Sequence, residues 1–247
     1  DIAGVTPDAL KTLFVEDILD AQSKLAQQNA EFAATNIPLM PVADGKIIPD
    51  DVNEEALIGA QGKKIMLGFA HDEMHAFLAG NPEIQNASDV QIEDVFKRDF
   101  GERWQEMLNY CRNRQPGATP MELLSLGLNE ANFAGQTCNF ATELSGKGID
   151  TWLYRIDIAP PESAYRACHC IELPFVFNTF DRWMPPMIAG LESDEAAALS
   201  QVIQKTWGSF AANGDPNHED LIDWPAYNPD RRSMIIWNKH IETVNRV

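Results

Sequence analysis

Positive charge is scarce in these 247 residues: 19 Lys and Arg stand against 37 Asp and Glu, for a formal net charge of −18. A surface of that sign repels phosphate backbones and anionic bilayers, so nucleic acid and membrane are poor partners. The acidity reads instead as a means of staying in solution. Cysteine is scarce too, with four residues, no CxxC, and Cys168 and Cys170 only two apart. That excludes a disulfide scaffold, and reduced thiols are expected. No apolar run approaches the roughly 20 residues that span a bilayer. The opening "DIAGVTPDALKTLF" has no initiator Met and no basic start followed by an apolar stretch. No signal peptide is expected, and the true N-terminus is expected to lie elsewhere. Internal repeats and low-complexity tracts are absent as well.

What is present is ordinary for a globular chain. Apolar residues make up 45% and charged residues 23%, enough to bury one large core or two modest ones. Thr6 and Pro7 open a helical pattern that carries Leu10, Leu13, Phe14, Ile18 and Leu25. Prolines and an Asp44-Gly45 turn break it, and a short helix follows, stopped by Gly62. "KKIMLGFA" is a continuous apolar run of strand length. From Ser88 to about Ser145 the pattern is helical, with a capping box at Thr119-Pro120-Met121-Glu122. "TWLYRIDIA" reads as a strand, a strong helix runs from Ser193 to Gly214, and "RRSMIIWN" is a final short strand. Strands separated by long helical stretches indicate an α/β arrangement. Three strands are few for this length, and a parallel sheet so small leaves an edge and a face uncovered.

Two stretches carry histidines that invite chemistry. "GFAHDEMHAFL" places His71 and His75 four apart at the end of the first apolar strand. The zinc-protease pattern needs Glu directly after the first His, where Asp72 stands, so a pair of surface histidines is the expected reading. "YRACHCIELPFVF" places His169 between two cysteines. Metal binding is disfavoured there, because consecutive side chains diverge and zinc spacings leave at least two residues between ligands. A packed core histidine and a base at the mouth of a reactive pocket both remain, and residue type alone favours the first.

Taken together the motifs carry a resemblance. "MPVADGKIIP", "GFAHDEMHAFL", "TWLYRIDI", "ACHCIELPFVF", "WGSFAANGDPN" and "DWPAYNPDRRSMIIWN" occur in an order similar to the C-terminal half of type-B carboxylesterases. That family includes para-nitrobenzyl esterases and cholinesterases, and the bacterial branch is the nearer in wording. The resemblance covers the chain from about Leu39 onward. It implies the C-terminal part of an α/β-hydrolase fold, with a few sheet strands and a helical subdomain over about residues 76–148.

It implies hydrolysis of a small-molecule carboxylic ester by a Ser-Glu-His triad, with no cofactor and no metal. The strand-end acid of the family falls on Glu73, the base on His169, and a supporting buried carboxylate on Glu172. Met74 stands where the family has Gly, which bears on the local turn. The family's Gly-x-Ser-x-Gly nucleophile turn is missing, since the settings of Ser125, Ser145 and Ser209 all fail it. The implied partner is therefore an N-terminal half of the same protein, which carries the serine and the oxyanion loop. The family also contains adhesion proteins with degraded triads, and a non-catalytic binding module is the alternative.

Overall fold

The structure, a computed structural model, describes residues 6–35 and 39–245. Asn36, Ile37 and Pro38, where the expected proline break begins, lie outside the described residues. The chain forms two compact units that divide between Glu55 and Ala56.

In the first unit the helix expected from Pro7 onward is split. Pro7–Thr12 is a 3₁₀ turn, Leu13 and Phe14 take extended backbone, and α1 runs from Val15–Gln28. An apolar stripe holds a helix together only where something buries it. Here no residue of α1 is buried, and Phe14 is 77% exposed. Thr6 occupies the cap position without a side-chain bond. The Asp44-Gly45 turn forms as expected: Asp44 Oδ1 accepts the amides of Lys46, Ile47 and Ile48, and Gly45 has φ +65°. Helix α2 (Val52–Gly59) crosses the division between the units.

The second unit is built on a sheet. Strand β1 (Ile65–Ala70) leads into a helical block of α3 (His75–Leu78), α4 (Pro82–Gln85), α5 (Asp89–Phe100), α6 (Trp104–Arg114) and α7 (Pro120–Asn129). A π-helical turn, Glu130–Ala134, joins α7 to α8 (Gly135–Gly146). The chain returns as β2 (Thr151–Ile156), then α9 (Leu173–Phe177), α10 (Ser193–Asn213) and β3 (Ser233–Trp237). Reciprocal capping boxes start α5 at Ser88 and Gln91 and α7 at Thr119 and Glu122. Gly214 closes α10 in the left-handed region at φ +68°.

Among the described residues the sheet has four strands in the order β1-β2-β3-β4, where β4 is Glu242–Asn245. The first two pairings are parallel and the last is antiparallel. Strand β4 is an addition to the three expected. Its sequence, Glu-Thr-Val-Asn, is short and polar, and it takes strand form by pairing with the fully buried β3.

Side chains of β2 and β3 alternate between two cores. Trp152, Ile156, Ile235 and Trp237 face Phe175, Ile203 and Trp224, while Leu153, Met234 and Ile236 face Ala141 and Tyr227. Both faces are covered, so apolar residues stand on both sides of these strands, interrupted in β2 by Arg155, which pairs with Asp157. An aromatic cluster fills the first core: the ring centroids of Trp224 and Trp237 are 6.1 Å apart, and those of Trp207 and Trp237 are 5.9 Å apart.

Candidate active site

The in-register pairing of β1 with β2, from Ile65 opposite Thr151 to Ala70 opposite Ile156, brings their C-terminal ends together. The segments that follow those ends meet. Glu73, three residues past β1 and 6% exposed, reaches back so that its Oε1 accepts the Ala70 amide at 2.6 Å. Its Oε2 accepts a hydrogen bond from Nδ1 of His169 at 2.6 Å. The His169 backbone amide also points at the Glu73 carbonyl, at 3.4 Å. Both carboxylate oxygens are therefore occupied, and the proton on the imidazole is fixed at Nδ1.

The other ring nitrogen, Nε2, has no hydrogen-bond partner among the described residues, and the side chain is 42% exposed. The ring sits between Phe77 and Phe133, each with its centroid 5.5 Å away. Phe133 belongs to the π-helical turn, and Phe77 to α3. One edge of the imidazole is held and the other is open.

The loop bearing His169 turns sharply on both sides of it. Arg166 and Cys170 have φ of +56° and +67°, a region that non-glycine residues rarely enter. Beyond it, α9 buries Pro174 and Phe175 and ties the loop into the core. Cys168 is fully buried, and burial pushes its thiol up to about 12, which suits a packing residue. Glu172 lies in the same neighbourhood. Burial, then the charge of Glu73, raises its carboxyl above the ordinary range, while His169 pulls the other way.

Met74 takes an ordinary helical conformation, φ −74°, and is buried at the start of α3, so the local turn does not require glycine. Asp72 faces His71 rather than His169, with Nδ1 to Oδ1 at 3.2 Å. His75 departs from the expectation of two surface histidines. It is 2% exposed, and its Nδ1 lies 3.3 Å from the hydroxyl of Ser125. The cause is α3, which turns the chain under α7 directly after the strand. The helix lies at the start of the helical subdomain expected over about residues 76–148, but spacing alone does not show that it faces α7. The other two serines are engaged as well, Ser145 with the Tyr227 carbonyl and Ser209 with the carbonyls of Asp215 and Asn217.

Two further side chains hold the segments that flank the pair. Asn129, the last residue of α7, donates to the His71 carbonyl at 3.1 Å, and Arg166 forms an ion pair with Glu122. A strand-end acid held against a loop imidazole whose second nitrogen is open is an arrangement suited to accepting a proton from a nucleophile.

Comparison with known proteins supplies the context. The model of the carboxylesterase family matches residues 6–246. Over 244 residues the chain is 28% identical to the para-nitrobenzyl esterase of Bacillus subtilis (strain 168), covering 96% of this chain and 47% of that protein. It is 25% identical over 224 residues to the phenmedipham hydrolase of Pseudarthrobacter oxydans, covering 90% and 44% respectively. Among solved structures it is similar to a carboxylesterase of Geobacillus stearothermophilus, with a TM-score of 0.83, 25% identity, and coverage of 99% of this chain and 50% of that one. The fold is that of an α/β-hydrolase, and the chain spans about half the length of the relatives it matches.

Proposed function

The chain belongs to the carboxylesterase family, and from that premise we propose that it supplies the acid and the base of a serine esterase acting on small carboxylic esters. Glu73 is the acid and His169 the base. The nucleophilic serine and the oxyanion donors come from an upstream segment of the same protein, because no Gly-x-Ser-x-Gly occurs in these 247 residues. The observation that carries the reading is the 2.6 Å contact between Glu73 Oε2 and His169 Nδ1, together with the open Nε2.

The chemistry follows from that geometry. With its proton fixed on Nδ1, the imidazole offers the Nε2 lone pair to the serine hydroxyl and takes its proton as the oxygen attacks the ester carbonyl. The positive charge then on the ring is stabilised by the carboxylate behind it. His169 returns the proton to the departing alcohol, and a water activated in the same way releases the acid. Glu172, half-buried and close enough to Glu73 for each charge to be felt by the other, adds a second acidic group near the pair.

The test is hydrolysis of para-nitrophenyl acetate by the protein produced with its upstream segment. His169→Ala is expected to lower kcat about a thousandfold or more, and Glu73→Gln by a comparable factor, because the wrong tautomer then faces the serine. The present 247 residues alone are expected to give no turnover above that of a free imidazole. Activity undiminished in His169→Ala would remove the assignment, whereas no hydrolysis by the unaltered protein would favour a binding module.

A further inference from the structure

We propose that Asp72 is a positioning residue, which clamps the loop carrying His169 onto the strand end carrying Glu73. The proposal rests on the reading of those two residues as base and acid. The contact between Glu73 and His169 is one side-chain bond, supplemented by a backbone approach at 3.4 Å. By itself it holds only the tip of a long loop. Asp72 holds the root. Its backbone amide donates to the Ala167 carbonyl at 2.9 Å, and its Oδ2 accepts the Ala167 amide at 3.3 Å. Both polar groups of Ala167, two residues before His169, are thus tied to the residue directly before Glu73.

The clamp is itself held. Oδ1 of Asp72 is engaged by Nδ1 of His71 at 3.2 Å, and the His71 carbonyl accepts Asn129 Nδ2 at 3.1 Å. Asp72 therefore has a different partner for each oxygen and little freedom to turn away. Burial pushes its carboxyl up, but the hydrogen bond and charge of His71, helped by His75 and Arg166, outweigh that and leave it below the ordinary value. It is ionised, and so an acceptor, at neutral pH.

The need for a clamp is visible in the backbone. Arg166 and Cys170, both in the left-handed region, bracket Ala167, Cys168 and His169. Such conformations persist only where surrounding bonds impose them. Asp72 imposes one side and Glu73 the other, while Arg166 is further pinned to Glu122 at the start of α7. Asp72 does not contact the imidazole, so it acts on catalysis only through the placement of His169.

Two variants and one measurement on the unaltered protein test this, all with the upstream segment present. Asp72→Ala deletes the acceptor, whereas Asp72→Asn keeps an oxygen of the same reach for the Ala167 amide. Misplacement of a catalytic group by about 1 Å costs up to about a hundredfold, so Asp72→Ala should lower kcat about 10- to 100-fold with KM held within about twofold. Asp72→Asn should recover kcat to within about threefold of the unaltered protein. The downfield proton resonance of His169 Nδ1–H, assigned by its loss in His169→Ala, should broaden in Asp72→Ala and persist in Asp72→Asn. In the unaltered protein the Ala167 amide should exchange with deuterium as slowly as amides of β2.

A folded Asp72→Ala with unchanged kcat and an unchanged resonance would overturn the proposal. So would equal loss of kcat in both variants, or free exchange at Ala167. The resonance and the exchange do not depend on ester hydrolysis. Loss of the esterase reading would therefore show in the His169→Ala kinetics and leave those two readouts to judge the clamp.

Discussion

His75 shows how burial, ahead of the charges around it, sets the behaviour of a single side chain. Burial, and after it the charge of Arg166, holds its imidazole below the ordinary 6.5, although Asp72 and Glu122 pull it upward. In the unfolded chain the same group titrates near 6.5, so the unfolded state takes up more protons as the pH falls past that value. The stability that neutral His75 contributes is fully present above 6.5 and is lost as the pH descends toward the folded value. Urea unfolding midpoints at about pH 7.5 and about pH 5.5 should therefore drop in the unaltered chain, and drop less in His75→Asn. Equal drops would mean that the buried ring is not the group responsible. The sequence made His75 look like half of an exposed pair. Spacing tells which residues can share a helix face, but not which face the next helix covers.

Among the secondary elements, the same substitution has opposite effects in two helices. A Cβ on Gly127 of α7 would stand 2.4 Å from the ring of Phe96 in α5, and both residues are buried. Gly208 of α10 has open space where its Cβ would go. Gly208→Ala should stabilise by about 0.5–1 kcal/mol through the lost backbone entropy of the unfolded chain. Gly127→Ala should destabilise by about 1–3 kcal/mol, because Phe96 cannot retreat from a packed core. Thermal unfolding of both variants reads the two signs, and a stabilised Gly127→Ala would show that α5 and α7 are not packed as described. Much of this layer was legible in the sequence. The strands β1, β2 and β3 declared themselves by their apolar content, which both covered faces require, and the Thr119 capping box did so by its spacing. Strand β4 was hidden because it is polar and owes its form to a neighbour. The π-helical turn was hidden because no local composition marks it, yet it is what sets Phe133 against His169.

For the whole molecule, the legible part of the site was the pair that the motif order matched, Glu73 and His169. The bonds that hold the pair were not legible. Glu122 showed as a helix cap, but its ion pair with Arg166 joins residues from opposite sides of β2 in the chain, and pattern reading does not reach so far. The sheet has the same long reach, and its consequence is one of time. Strand β1 cannot find β2 until the entire helical block between them has been threaded past, and β2 meets β3 only after α9 and α10. Helices need only near neighbours and form early, whereas pairings distant in sequence must first meet the entropy of closing long loops. After dilution from urea, helical circular dichroism should return ahead of the near-ultraviolet signal of the Trp207, Trp224 and Trp237 cluster, which exists only once β3 is seated. Simultaneous return of both signals would count against this order. Glu73 and His169 lie on the two sides of the first long closure, so the two side chains are strangers until folding is nearly done. A chain caught earlier in that process has its helices but not the contact between Glu73 and His169.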